Sequence, residues 1–456
     1  MSNEFQPEVK KLKTTDEDIV KPAEEKRCKF FVQRKKRFCK ITVGKTKEYC
    51  GEHEVILMKT NPENDSQELL TDRIPCPYDP KHSVYQKKLT KHLRICNSRP
   101  KDKPKYISTG LNARSSDDDD DCQDTEENSP TKLSEIDVDI VEGLILKIEN
   151  LYKEFVEGTL EELILENEIL REECKNPIYG APTLKHLLQT SSILGYLKHF
   201  NLLDNDTSYV EFGAGRGIIS YWLGKTLLRE NYSNNQVLLI DKASHRHKKD
   251  NRIGEINMVQ RIRADISDLV LLKLDKIDEF KKIICVSKHL CGAATDLTLR
   301  CVVNSNKEVP KIEGCLIALC CHHRCTWKTF VGKKFFQKNG FDKNSFEIVT
   351  KMVGWAICGD GMSREKRSEV ATTGEIVTGH HRIPKERRMS IGIKCKRIID
   401  YARLQYLKEN GFQVSLKYYV KSDITLENVC LVAELVKCKT QVAIKQTFSN
   451  VISDLT

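Results

Sequence analysis

Tyr209-Val-Glu211-Phe-Gly213-Ala-Gly215-Arg-Gly217 is the stretch that decides the fold. An apolar run ends in a glycine-rich turn, and a helical pattern, IISYWLGKTLL, begins at Ile218. Glycines are needed there because the backbone has to turn sharply and a ligand has to lie against it. A dinucleotide fingerprint would place its third glycine at position 218, which is isoleucine. The spacing is GxGxG, with the acid Glu211 ahead of it.

That form implies a turn that cradles the methyl donor S-adenosylmethionine and holds no pyrophosphate. Glu211, Gly213, Gly215 and Gly217 are its candidate binding residues. A second apolar run, Val237-Leu-Leu-Ile-Asp241, ends in an acid that can accept both ribose hydroxyls of a nucleoside. A third, RIRADISDL, ends at Asp265, where an acid can contact the adenine amino group. Taken singly, each feature is open to a plainer reading: GxGxG as a tight turn, either aspartate as a helix cap. Their order at three successive strand ends favours the donor site.

The same alternation continues down the chain. KKIICVSKHL, EGCLIALCC, FQVSLKYYV and VCLVAEL read as strands between helical stretches. The expected architecture is therefore α/β, a Rossmann-like doubly wound parallel sheet over residues 177–445. Ligands of such sheets sit at the carboxyl ends of the strands. With the donor on the first three, the acceptor faces the fourth, ending Ser287-Lys288-His289-Leu290-Cys291-Gly292, and the fifth, ending Cys320-Cys321-His322-His323-Arg324-Cys325. A hydroxyl acceptor needs a base, because an alcohol is a poor nucleophile. Lys288 and His289 are the catalytic candidates, with capping or phosphate contact as the plainer alternative. Lysine serves only if its pKa is lowered. Cys320, Cys321, His322, His323 and Cys325 are either cleft-lining or a third metal site. Crowding disfavours the metal, since neighbours on a strand point to opposite faces.

Upstream lie two Cys/His sets. Cys28-x10-Cys39-x10-Cys50-x2-His53 (module 26–60) and Cys76-x5-His82-x9-His92-x3-Cys96 (module 72–100) each offer four zinc ligands. His92 and Cys96 stand one helical turn apart. Modules this small need the metal to fold. Around the first set, QRKKRF with Phe30, Phe31 and Phe38 suits contact with an RNA backbone and stacking on its bases. Residues 101–133, centred on SSDDDDDCQDTEENSP, read as an acidic disordered linker. Residues 134–176 show helical spacing at Ile140, Leu144, Ile148, Leu151 and Phe155 and again at Leu160, Leu163 and Leu165. This predicts two helices broken at Gly158–Thr159, packed on the next domain or forming a short coiled coil.

The bulk numbers agree with this layout. The chain has 456 residues, too many for one simple core, and a net charge of +10, a weak pointer to a polyanion. Its N-terminus lacks the apolar core of a signal peptide, and no run approaches the roughly 18 apolar residues of a membrane span. An intracellular location is expected, nuclear or cytoplasmic, where 18 cysteines suggest metal or catalysis over disulfides.

With a CCCH finger, a CHHC finger, EFGAGRG, SKHLCGAATDL, CCHHRCTW, GWAICG and IGIKCKRIIDYAR in this order, the chain resembles the eukaryotic tRNA 2′-O-methyltransferases that modify the fourth nucleotide of the acceptor stem. The second finger is similar to the CHHC finger of a minor-spliceosome protein. The resemblance covers about residues 26–100 and 135–440. It implies S-adenosylmethionine and zinc as cofactors, tRNA as substrate and a ribose 2′-hydroxyl as target. It carries over onto Glu211, Gly213, Gly215, Gly217 and the two finger ligand sets, and it gives no secure base. No obligate protein partner and no membrane are implied. The polar stretch from Gly359 to Arg388 looks like an insertion; Arg382, Arg387 and Arg388 either touch tRNA or belong to a plain surface loop.

Two other readings compete: a methyltransferase acting on protein or on a base, and an RNA-binding or splicing scaffold without activity. No NPPY-type or DPPY-type tetrapeptide, the usual mark of methylation at a base's amino nitrogen, follows the fourth strand, which disfavours base chemistry. The intact donor motif disfavours the scaffold.

Overall fold

The computed structural model describes residues 26–60, 73–99, 103–114, 132–245, 249, 258–358 and 383–436, apart from 34, 35, 45 and 97. The chain divides into two compact units, Met1–Asp102 and Lys103–Thr456.

The second unit is built on one sheet. Its principal strands are β1 (Thr207–Phe212), β2 (Gln236–Asp241), β3 (Val259–Arg263), β4 (Lys282–Cys291), β5 (Ile312–Cys320), β6 (Phe412–Tyr418) and β7 (Val429–Leu435). Their order is 3-2-1-4-5-7-6, with a two-residue edge strand, Glu161–Glu162, beyond β6. The strands β1 to β5 run parallel. Every position of β1 is buried. Helices cover both faces of the central strands, so β2 and β5 read as near-continuous apolar runs, whereas β3 and β6 alternate in burial.

Three expectations need correction. The sheet is not all parallel: β7 is antiparallel to both β5 and β6. Only residues 419–428 join β6 to β7, too few for the crossover that a parallel pair needs. The segment 134–176 is not two helices about Gly158. One helix, α1 (Val138–Phe155), is capped by Asp137 and ends before a left-handed Gly158. Beyond it the chain becomes the edge strand, which pairs with β6, and then a short helix, Glu168–Glu173. Leu160, Leu163 and Leu165 pack as coil against the core, because a strand edge was available to satisfy the backbone there. Third, residues 103–114 of the expected linker are ordered. Ile107 bridges Leu269, and the fully buried Asn112 donates through Nδ2 to the carbonyls of Ile266 (2.7 Å) and Leu269 (2.9 Å). The acidic run 115–131 lies outside the described residues.

The remaining main helices are α2 (Ala181–His199), α3 (Ile218–Arg229), α4 (Ala293–Glu308), α5 (Lys343–Met352) and α6 (Lys385–Glu409). The buried face of α1 (Val141, Leu144, Ile145, Ile148) shares a core with Ile391, Cys395 and Ile398 of α6, so α1 packs on the domain and not in a coiled coil. Among the described residues, no helix is long and apolar enough to cross a membrane.

Candidate active site and metal centres

Strand order reverses at β1, which lies between β2 and β4, and the crevice opens there at the strands' carboxyl ends. Gly213, Gly215 and Gly217 all have positive φ, at 62°, 52° and 70°. A side chain in that region costs about 1–2 kcal/mol per residue, so the turn requires glycine at each. A Cβ on Gly215 would meet nothing nearer than 4.0 Å, so the turn keeps open space for a ligand. A Cβ on Gly213 would lie 3.0 Å from Leu290 Cδ2 and 3.9 Å from the His289 carbonyl oxygen. The donor turn thus rests on the end of β4.

Two of the three acids, Glu211 and Asp241, brace this turn. Glu211 is buried, and its Oε2 accepts from the Ser220 backbone N–H (3.0 Å) and hydroxyl, tying β1 to the first turn of α3. Burial raises its pKa to about 7, against the pull of Ser220, Lys288 and Arg261. Asp241 Oδ2 accepts from Gly215 N–H (2.7 Å), its Oδ1 accepts from Ala243 N–H (2.8 Å), and His245 Nε2 lies 3.2 Å from Oδ2. Asp265 caps a short turn through Ser267 N–H (3.1 Å) and pairs with Lys242 (2.6 Å). Burial pushes its carboxyl up, but Lys242 and Ser267 more than offset this, and its pKa ends below the usual value. Glu211 is therefore occupied within the fold, while Asp241 and Asp265 stand at the ends of adjacent strands on the rim.

At the acceptor end the two base candidates differ. Lys288 is buried, and its Nζ donates to the His186 carbonyl (3.1 Å) and Thr190 Oγ1 (3.1 Å) of α2. Burial lowers its pKa to about 8, with Glu211 opposing. His289 is exposed, and its ring packs perpendicular to that of His186, with centroids 5.6 Å apart. That packing, followed by the charge on Lys288, lowers its pKa to about 4. It is a neutral imidazole at neutral pH.

The loop after β5 does not gather the five expected metal candidates around one point. His322 is fully buried with its Nε2 2.5 Å from Asp400 Oδ1. Cys325 Sγ accepts from Arg403 Nη2 at 3.1 Å. Burial pushes the Cys325 thiol up to about 12. His323 is exposed. The structure brings Cys291 from β4 to Cys320 and Cys321 instead.

Behind this loop lies a charged network that sequence reasoning missed. Arg403 forms a bidentate pair with Asp296 (Nη2 2.8 Å, Nε 3.1 Å) and reaches Asp400 at 3.6 Å. Arg397 reaches the other oxygen of Asp400 at 3.1 Å. Asp296, Asp400, Arg403 and His322 have no solvent exposure at their side chains. Burial alone would raise the Asp400 carboxyl, yet His322, Arg397 and Arg403 hold it down to about 2. The signal was present in IGIKCKRIIDYAR: Lys396, Arg397, Asp400 and Arg403 stand among apolar residues that a core helix would bury, and buried charges are paired. Of the insertion's arginines, Arg382 lies outside the described residues. Arg387 is exposed and Arg388 is buried on α6.

In the first unit both ligand sets converge, each with ligand atoms within 4.8 Å of one another. In the first, His53 Nδ1 lies 3.3 Å from both Cys28 Sγ and Cys50 Sγ. Burial opposes thiolate formation at Cys28, but hydrogen bonds from the Cys50 and Phe30 backbone and from His53 outweigh it and lower the pKa to about 7. In the second, both histidines present Nε2: His92 is 3.2 Å from Cys76, and His82 is 3.5 Å from Cys96. Four such donors fit a closed tetrahedral zinc ion. Arg73 joins the modules, pairing with Glu52 (2.7 Å) and Ser83 (3.1 Å). Of the expected stacking residues, Phe31 and Phe38 are exposed, whereas Phe30 stacks inward on His53 at 4.0 Å.

A glycine cradle at the reversal of a 3-2-1-4-5-7-6 sheet, joined to two Cys/His zinc centres, defines an S-adenosylmethionine-dependent methyltransferase with N-terminal zinc fingers. The chain belongs to the TRM13 methyltransferase family. The family profile described as "Methyltransferase TRM13" matches residues 188–434; "CCCH zinc finger in TRM13 protein" matches 26–54, and "U11-48K-like CHHC zinc finger" matches 73–97. Similar over nearly their whole length are proteins from Mus musculus (32% identical, covering 89% of this chain and 94% of the relative) and Homo sapiens (33%, 90% and 94%), both named "tRNA:m(4)X modification enzyme TRM13 homolog". The Saccharomyces cerevisiae "tRNA:m(4)X modification enzyme TRM13" is 31% identical over 90% of this chain and 96% of its own length.

Proposed function

We propose that this chain methylates tRNA, transferring the methyl group of S-adenosylmethionine to the ribose 2′-hydroxyl of nucleotide 4 in the acceptor stem. The relatives' name supports tRNA as substrate and position 4 as target. The observation that supports hydroxyl chemistry is the nearness of the glycine turn to the end of β4, where a Cβ on Gly213 would lie 3.9 Å from the carbonyl oxygen of His289, an exposed residue that is neutral at neutral pH. A base must stand beside the methyl group and be unprotonated when the hydroxyl arrives. Of the two candidates, the exposed and unprotonated state of His289 supports it as the base, whereas Lys288 is buried and hydrogen-bonded to α2. In this reading Asp241 and Asp265 hold the nucleoside of the donor at the rim. The zinc modules, with exposed Phe31 and Phe38, bind the RNA.

The test is direct. The purified chain receives labelled S-adenosylmethionine and total tRNA. Label should enter tRNA, and one linkage, after nucleotide 4, should become resistant to alkali. Label in a base or in protein overturns the reading. Cys76→Ser should abolish the second zinc centre and weaken tRNA binding by about tenfold or more, with donor affinity unchanged, because zinc binding and folding of so small a module are one event. Equal tRNA affinity in gel-shift titrations would remove that finger from substrate recognition.

A further inference from the structure

We propose that Cys291, Cys320 and Cys321 form a third zinc site, with three thiolate ligands and a fourth position open to solvent. The site belongs to neither finger, and it stands whatever the methyl acceptor proves to be. The three sulfur atoms all lie within 4.8 Å of one another, the same closeness found in the two finger sets. Cys291 Sγ and Cys321 Sγ are 3.4 Å apart, against 3.7 Å for Cys76 and Cys96, two ligands of a finger zinc. Zinc–sulfur bonds of about 2.3 Å in a tetrahedron set sulfurs roughly 3.8 Å apart, so a small opening of the triad admits the ion.

The backbone explains how adjacent cysteines come to share one side. On a strand they would point to opposite faces. But β5 ends at Cys320, and Cys321 takes a left-handed conformation (φ 53°, ψ 39°) that is uncommon outside glycine, asparagine and aspartate. Cys291 is held from the other strand. Gly292, next to it, lies so close to the loop that a Cβ would stand 2.4 Å from the Arg324 carbonyl carbon. No other residue fits there without moving the chain, so the two cysteine-bearing turns are locked together. An unusual conformation kept in place by its surroundings points to a function.

Of the loop's other ligand-type side chains, His322 is committed to Asp400, Cys325 to Arg403, and the exposed His323 lies outside the cluster that the three thiols form. A contrast within the same sheet sharpens the point. Cys285 and Cys315 pair across β4 and β5 but are fully buried and belong to the apolar core. In the triad, Cys320 is buried while Cys291 and Cys321 are partly exposed, so an ion has a path in and an open side. Three protein ligands with an open position is the form that zinc takes where it meets an exogenous ligand; structural sites are closed by four.

The full-length protein, purified without chelator, should hold three zinc ions per chain by mass spectrometry of the metal, one per ligand set. Cys291→Ser and Cys321→Ser should each lower this to two, and so should Cys28→Ser or Cys76→Ser, which report on the fingers separately. Two ions in the wild type, unchanged by Cys291→Ser, overturns the proposal. So does a Cys291–Cys321 disulfide in the wild type, seen as two protons' mass lost and protection from alkylation. Cobalt(II) gives a second readout that tolerates weakened variants. The third equivalent added to metal-free protein should produce a thiolate charge-transfer band that Cys321→Ser abolishes at equal folded fraction by circular dichroism. A band that survives in Cys321→Ser also sinks the idea.

Discussion

The two halves of the cleft are built by opposite means. Around β1 to β3 the site is made of backbone: three left-handed glycines, with carboxylates that bind main-chain N–H groups a few residues away or on the next strand. Around β4 and β5 it is made of side chains. The loops are held by ions with no exposure, and the partners stand far apart in sequence: Arg403 with Asp296 across 107 positions, His322 with Asp400 across 78. The backbone-built half suits a donor of fixed shape, because main-chain donors cannot drift. The side-chain-built half ties the loops after β4 and β5 to α6, so changes in α6 reach those loops from a distance.

That difference can be broken experimentally, and the largest effect should come from the buried ions. Arg403→Leu strands Asp296 without a counter-charge and leaves Asp400 to Arg397 and His322; removing one partner of a buried pair costs about 3–5 kcal/mol. Chemical denaturation should show that loss, and a change under about 1 kcal/mol would mean the network is solvated and the contrast false. Asp241→Ala comes next. It removes a charged acceptor from Gly215 N–H and, in the proposed reading, from the donor's ribose; hydrogen bonds to charged groups contribute about 1.5–3 kcal/mol, or about 10–100-fold in donor affinity by calorimetry. Unchanged affinity would leave Asp241 a cap only. Gly217→Ala should cost about 1–2 kcal/mol of stability, because alanine must adopt φ near 70° at the start of α3. A neutral result would show that the turn relaxes and that its glycines are not required by conformation.

The same contrast explains what could be read in advance. The glycine turn was legible because its determinants are local: Glu211 to Gly217 lie in one strand and its turn, Asp241 ends β2, and Asp265 follows β3 by two residues. The finger ligands were legible for a similar reason, since four donors within short stretches have few other uses. The acceptor half was not. A left-handed Cys321 cannot be foreseen from CCHHRC, and without it the alternation rule argues against the sulfurs meeting. Nor does local sequence tell that Cys291 replaces His322 in the cluster; that depends on Asp400 capturing the histidine from a helix far along the chain. The helical spacing after Gly158 misled because Leu160, Leu163 and Leu165 are buried by an edge strand and coil, which apolar periodicity does not distinguish from a helix face.

The smallest effect concerns the base, and it tests the acceptor half at one atom. A base acts only when unprotonated, so the rate follows the unprotonated fraction. With His289 near 4, that fraction is nearly complete throughout the range above about pH 5, and the single-turnover rate should change less than about twofold between pH 6 and 9. With Lys288 near 8 as the base, the fraction would climb from about one tenth at pH 7 to about nine tenths at pH 9, a rise of about ninefold. A flat profile that His289→Ala lowers at every pH, with Lys288→Met milder, assigns the proton to the exposed ring. A profile rising through pH 8 that persists in His289→Ala moves it to Lys288, and would require the lysine to leave the carbonyl of His186 before it could reach an acceptor.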